Sequence, residues 1–155
     1  MSEVIYTDGA CYGNPGPGGW AWVREDGVSG GGYEVHTTNQ RMETKAVLEA
    51  IKAHEGELAI YSDSAYVVNC FQSSWWKGWE ARGWRTAKGD AVANQDIWRP
   101  LIQLYKDRRM VTFHKVKGHS GIALNEKADQ LANEQATKAA SIGMGKSDFG
   151  QGRLF

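Results

Sequence analysis

Ile5-Tyr6-Thr7-Asp8-Gly9 decides how this chain is read. A β-branched and aromatic run, the composition of a buried strand, ends in a carboxylate, and a glycine follows at once. Ala59-Ile60-Tyr61-Ser62-Asp63-Ser64 repeats the design: an apolar strand with an acid at its end. Between them, Arg41-Met42-Glu43 opens a helical pattern. Beyond them, Asn125-Glu126-Lys127-Ala128-Asp129 places acids near the start of a last helix. A carboxylate in a strand that otherwise reads as core costs free energy unless it is paired or bound to a cation. Several such acids can share one place when a hard divalent ion neutralises them. The pattern predicts a Mg²⁺ site built from Asp8, Glu43, Asp63 and Asp129.

Val4 to Asp8 reads as a buried strand, and Cys11 to Gly19 as a Gly/Pro turn cluster. That cluster lacks the Gly-Lys-Ser/Thr ending of a phosphate-cradling P-loop. Trp20–Arg24 and Gly32–His36 read as strands around a turn at Asp26-Gly27. Thr37-Thr38-Asn39 supplies capping residues for a helix over about 41–54, where Met42, Ala46, Val47, Ala50 and Ile51 recur at helical spacing. Leu58–Ser62 is the fourth strand, Ser64 to about Trp75 a helix, and Trp76–Gly89 a Trp-, Lys- and Arg-rich stretch broken by glycines. Asn94 starts a helix with Ile97, Trp98, Leu101, Ile102 and Tyr105 on its apolar face. Val111–Val116 is the fifth strand. Lys117–Gly121 is a loop, and Asn125 to about Ala139 the final helix.

The order βββαβααβα predicts an α/β fold: a mixed five-stranded sheet, three antiparallel strands then two parallel, with helices on both faces. The fourth strand returns to the first by a helical crossover, which makes the two parallel neighbours. Asp8 and Asp63 then meet at one end of adjacent strands, where ligands of such sheets sit. Singly, each acid has a structural explanation as a turn, first-turn, N-cap or solvated helix residue. Jointly, delivered to one sheet end, they point to metal chemistry, in which two ions about 3.5–4 Å apart clamp a phosphodiester.

At 155 residues, with 41% hydrophobic and 23% charged residues, the chain is long enough for a proper core and too balanced for disorder. Its formal net charge is zero, so no global field draws it to nucleic acid or membrane. The charge is uneven, however. Residues 75–109 carry eight Lys or Arg against four acids. Two cysteines, Cys11 and Cys70, make neither a disulfide framework nor a zinc cluster. No run approaches membrane-spanning length and no signal region precedes the first strand, so the expected location is cytoplasmic and the expected state a monomer away from membranes.

Tyr6-Thr7-Asp8-Gly9, Gly13-Asn14-Pro15-Gly16-Pro17-Gly18-Gly19, Thr38-Asn39-Gln40-Arg41-Met42-Glu43, Ser62-Asp63-Ser64 and Val116-Lys117-Gly118-His119 together resemble ribonuclease H of the bacterial type 1 class, over about residues 3–138. The resemblance implies an endonuclease that cleaves the RNA strand of RNA–DNA hybrids and leaves 5′-phosphate and 3′-hydroxyl ends. It implies Mg²⁺ as cofactor, with Mn²⁺ the alternative ion and two ions bound together with substrate. The family's metal-binding carboxylates fall on Asp8, Glu43, Asp63 and Asp129, and its catalytic histidine on His119, which assists proton transfer or product departure near the scissile phosphate and whose ordinary pKa lies in the useful range.

Hybrid selection requires reading the RNA 2′-hydroxyl and the helix shape. Cys11, Asn14, Asn39 and Gln40, short and polar and close to glycines, flank the expected site and suit approach to a minor groove. The resemblance favours Asn14 and Asn39 in this role, and places Thr38, Arg41 and Asn94 around a DNA phosphate. Trp75 and Trp79, with Trp76, Lys77, Arg82, Arg85 and Lys88 nearby, look like a nucleic-acid surface, whereas Trp84 and Trp98 read as core. The sequence departs from the family where Glu80-Ala81 replaces a paired-lysine site, which predicts a weakened grip, and where Ala65 replaces a common Gln.

Residues 1–140 form the expected catalytic domain and 141–155 a flexible Gly-rich C-terminal tail. The ending Gln151-Gly152-Arg153-Leu154-Phe155 resembles the short motif by which bacterial enzymes dock on the DNA sliding clamp. Removal of RNA primers and R-loops is the role this reading implies. The rival from another class is a non-catalytic RNA–DNA hybrid-binding module, which predicts the loss of at least one of the four acids; none is missing.

Overall fold

The computed structural model describes residues 2–108, 110–117 and 122–150, with side chains described through Gly143. The first three strands form an antiparallel meander: β1 (Glu3–Cys11), β2 (Gly16–Arg24) and β3 (Ser29–Thr37). Helix α1 (Asn39–Lys52) crosses over to β4 (Leu58–Ser62), which pairs parallel with β1. Two short helices, α2 (Ala65–Gln72) and α3 (Trp75–Ala81), lead to α4 (Gln95–Arg108), and β5 (Val111–Lys115) then pairs parallel with β4. The sheet order β3-β2-β1-β4-β5 is the mixed sheet the element order predicts. Helix α5 (Ala123–Gly150) packs across β1, β2 and β3.

Alternation along β1 sorts its residues between two cores. Ile5 joins the large cluster with Val47, Ile51, Ile60, Val67, Trp98 and Leu101, beneath α1 and α4. Ala10 lies on the other side, with Ala21, Ala132 and Ala136, beneath α5. The stripe Ala128, Ala132, Ala136 and Ala139 is fully buried, and its small side chains let α5 approach the sheet closely. Gly19 completes that fit, because a Cβ there would lie 2.6 Å from the carbonyl oxygen of Ala132 and from the amide nitrogen of Ala136.

Several boundaries differ from the sequence expectation. The strand expected over Gly32–His36 runs from Ser29 to Thr37, since Gly30 and Gly32 leave room for the rings of Trp22 and Trp20. The helix expected over 64–75 ends at Gln72. Ser74, at φ 56°, turns the chain into α3, which occupies part of the stretch expected to be irregular. Helix α5 passes the expected end near 139 and reaches Gly150, with Ala139 buried and Gly143 against Val35. The motif at Gln151–Phe155 lies outside the described residues.

Candidate active site

Strand register creates the site. Thr7 pairs with Ser62 across the parallel β1–β4 ladder, so the next residues, Asp8 and Asp63, leave the same sheet end side by side. Asp8 is buried, at 6% exposure. Its carboxyl is pushed up to about 9, first by burial, then by the charge of Asp63, then by a hydrogen bond with Asp129 from α5; a bond from the Gly9 amide, 2.9 Å away, opposes this. The Asp129 side chain in turn accepts from Asn133 Nδ2 at 3.2 Å.

Glu43 comes from the first turns of α1. Its carboxyl is raised by burial, lowered by a hydrogen bond from Ser64, raised by Asp63 and lowered by the Lys115 ammonium. The helix is started by Thr38, whose hydroxyl accepts from the Arg41 amide at 3.2 Å. Gly9 lets β1 and α1 meet: a Cβ there would collide with the Glu43 amide nitrogen and lie 2.6 Å from the carbonyl carbon of Met42. Ser64 caps α2, accepting from the Val67 amide, and its own amide donates to Ser62 Oγ at 3.0 Å.

All four predicted acids therefore gather, in the order Asp129, Asp8, Asp63, Glu43 by their mutual interactions. They form an open row: among the described residues, no three His, Cys, Asp or Glu groups make a compact preformed cage. An acid buried between two other carboxylates, all hard oxygen donors, fits a divalent cation such as Mg²⁺. Sequence reasoning missed three contributors here. Gly9, Ser64 and Lys115 each act on the acids through tertiary contacts, and the signals were the adjacency of Gly9 to Asp8 and of Ser64 to Asp63.

The flanking residues also come together. Asn14 Oδ1 accepts from the Asn39 amide at 3.1 Å, joining the β1–β2 loop to the start of α1. The Cys11 thiol donates toward the carbonyls of Gly16 and Thr37, each 3.4 Å away, and burial raises its pKa. Gln40 is exposed on the first turn of α1. Asn94, at φ 62°, heads α4 and hydrogen-bonds Tyr66, which also accepts from Trp98 Nε1. Arg41 is held by Glu34 and Asp96.

The tryptophans divide. Trp75 is 40% exposed, whereas Trp79 is buried against Trp84 and Trp98. Trp98 is core, as expected, and Trp84 is half-buried under the Arg99 guanidinium. Glu80 forms an ion pair with Lys106 at 3.0 Å. A surface groove of about 340 Å³, lined by Trp76, Lys77, Tyr105 and Lys106, shares no residue with the acid row. His119 lies outside the described residues. No helix among the described residues is long and apolar enough to cross a membrane.

Known proteins agree with this architecture. Residues 1–137 match the RNase H family model. A relative from Syntrophomonas wolfei named ribonuclease H is 53% identical over 139 residues, 85% of this chain and 94% of its own length. Ribonuclease H of Thermus thermophilus is 47% identical over 144 residues, 88% of this chain and 85% of its own. Among solved structures, LC9-RNase H1, described as a type 1 RNase H with the type 2 active-site motif, superposes with a TM-score of 0.72 at 29% identity, covering 90% of this chain and 74% of that one. LC11-RNase H1, solved in complex with an RNA/DNA hybrid, shares the fold at a TM-score of 0.68 and 24% identity over 89% of this chain and 99% of that one. The chain belongs to the RNase H family.

Proposed function

We propose that this protein is an endoribonuclease that hydrolyses the RNA strand of RNA–DNA hybrids with divalent metal ions, leaving 5′-phosphate and 3′-hydroxyl ends. The observation that carries the reading is Asp8, buried between Asp63 and Asp129 at a shared sheet end and strongly disfavoured as an anion there. The ribonuclease H relatives support the reaction class. Asp8, Glu43, Asp63 and Asp129 would hold Mg²⁺, or Mn²⁺ in its place, and an open row suits two ions better than a single cage does. Bound ions would activate the attacking water and stabilise the leaving oxygen.

The chain's own groups do the positioning. Gly9 sets the distance between the Asp8 strand and the Glu43 helix, and Ser64 with Lys115 favours the ionised form of Glu43 against the burial that raises its pKa. His119 is the proton carrier in this reading. Cys11, Asn14, Asn39 and Gln40 face the hybrid groove; Thr38, Arg41 and Asn94 receive a backbone phosphate; Trp75 contacts the non-cleaved strand, and Trp79 supports that surface from inside. Primer and R-loop removal in the cytoplasm, action as a monomer, and sliding-clamp docking through Gln151–Phe155 complete the proposal.

One experiment tests it. A hybrid with each strand separately labelled is incubated with Mg²⁺ beside matched RNA–RNA and DNA–DNA duplexes. Cleavage confined to the RNA strand of the hybrid, with 5′-phosphate ends, supports the reading. Binding of the hybrid without cleavage would replace it with a non-catalytic binding module.

A further inference from the structure

Arg41 makes an arrangement that simple electrostatics does not favour in a protein that binds a polyanion. Its Nε donates to Glu34 Oε1 at 2.9 Å, while Nη1 and Nη2 donate to the two carboxylate oxygens of Asp96 at 2.8 and 2.6 Å. Three elements meet at this guanidinium: Glu34 is on β3, Arg41 in the first turns of α1, and Asp96 in the first turn of α4. The bidentate fork fixes a plane as well as a distance. Arg41 and Glu34 are largely covered, at 25% and 28% exposure, while Asp96 is open to solvent at 64%.

The clamp joins two helix starts. Thr38 caps α1 within one turn of Arg41. Asn94 heads α4 within one turn of Asp96, its carbonyl accepting from the amides of Ile97 and Trp98 at 3.0 and 2.9 Å. A guanidinium has five N–H donors, and Glu34 and Asp96 engage three of them. Among the described residues two donors remain beyond these contacts, aimed in directions the two acids dictate.

We propose that Asp96 and Glu34 are positioning residues for substrate binding, clamping Arg41 across β3, α1 and α4 so that Thr38, Asn94 and the two remaining Arg41 donors converge on one backbone phosphate of the hybrid. The inference rests on the hybrid-nuclease reading above and assigns work to two acids that reading leaves without any. It also predicts a sign. Removing the negative charge of Asp96 by asparagine would tighten binding of a polyanion through the general field. The clamp requires that binding weaken instead, because the Arg41 fork loses its alignment.

The test uses the full chain, wild type, Asp96→Asn and Glu34→Gln, with a set of hybrids each carrying one uncharged methylphosphonate linkage in the non-cleaved strand. Wild-type protein should show one linkage whose neutralisation raises KM. Asp96→Asn and Glu34→Gln should raise KM on the unmodified hybrid about tenfold, the loss of one charge-assisted contact, with kcat unchanged. In both variants the sensitivity to that one linkage should vanish. Asp96→Glu, which keeps a carboxylate on Arg41, should restore part of it. Equal or tighter binding by Asp96→Asn, or an unchanged sensitive linkage, overturns the clamp. A variant that melts early and loses kcat and KM together assigns the acids to stability alone, which also overturns it. Wild-type protein that neither binds nor cuts the unmodified hybrid would instead overturn the underlying reading.

Discussion

Asp8→Asn keeps the shape of the side chain and removes its charge, so it separates stability from chemistry. In the folded protein without metal, the Asp8 carboxyl is raised from 3.8 to about 9, chiefly by burial and then by Asp63. Between those values the folded state keeps a proton that the unfolded state releases. This group's contribution is therefore fully present below about pH 4 and is lost as pH rises toward 9. At ~1.4 kcal/mol per pH unit, the ceiling on the loss by neutral pH is ~4 kcal/mol. Relaxation of the partly open row reduces this to ~2–3 kcal/mol. Carboxylates with lowered pKa values, Asp26 beside Arg24 and Asp96 beside Arg41, contribute with the opposite sign, and only as pH falls below the ordinary carboxylate range. Asp8→Asn should melt about 5–10 °C above wild type at pH 7 in chelator, with the difference shrinking toward pH 4. Mg²⁺ should raise the melting temperature of wild type and move the variant much less. Its cleavage rate should fall on the order of 10²–10³ or more. Equal or earlier melting of Asp8→Asn at pH 7 in chelator would refute the claim that burial and the neighbouring acids disfavour the Asp8 carboxylate.

Four further substitutions probe the site and the scaffold around it. Gly9→Ala places a methyl group against the backbone of Met42 and Glu43; steady-state kinetics should show kcat reduced at least ~10-fold with KM little changed. Trp79→Ala should cost ~3–5 kcal/mol in denaturant unfolding, whereas exposed Trp75→Ala should cost under ~1 kcal/mol and weaken hybrid binding instead, so equal stability losses would contradict the division of this stretch. Arg108 ties the end of α1 to α4 by donating to the carbonyls of Ile51, His54 and Gly56 at 2.7–2.9 Å; Arg108→Ala should lower stability by ~2 kcal/mol and leave kcat intact.

The parts of the fold that local pattern controls were legible in the sequence. The β-branched runs at Val4–Asp8 and Leu58–Ser62 and the 3.6-residue spacing from Met42 to Ile51 carry their own signal, and chain connectivity makes β1 and β4 parallel. The four acids were legible for a related reason, since the pattern puts two of them just past the paired stretch of adjacent strands and two in the first two turns of helices. Features set by distant partners were not. Gly30 and Gly32 form strand because two indoles cover them, a fact carried by Trp20 and Trp22. The break before α3 depends on one left-handed residue, Ser74, which the polar pair Ser73-Ser74 signals only weakly. Trp75 and Trp79 look alike in sequence, yet one is exposed and the other packs on Trp98. Glu80 has its charge met by Lys106 from α4, and Arg41 has its partners on two other elements. No local periodicity encodes such pairs.

The central claim is that Asp8, Glu43, Asp63 and Asp129 form one metal-dependent site that cuts RNA within a hybrid. Its most direct test measures hybrid binding and RNA-strand cleavage in Mg²⁺ for wild type and for Asp8→Asn, Glu43→Gln, Asp63→Asn and Asp129→Asn. Wild type should cleave in a metal-dependent way, and every variant should fold and bind the hybrid within a few-fold of wild type, with its cleavage rate lowered on the order of 10²–10³ or more. Wild-type cleavage rates in any variant of Asp8 or Asp63, or cleavage by wild type that persists in chelator, would contradict it.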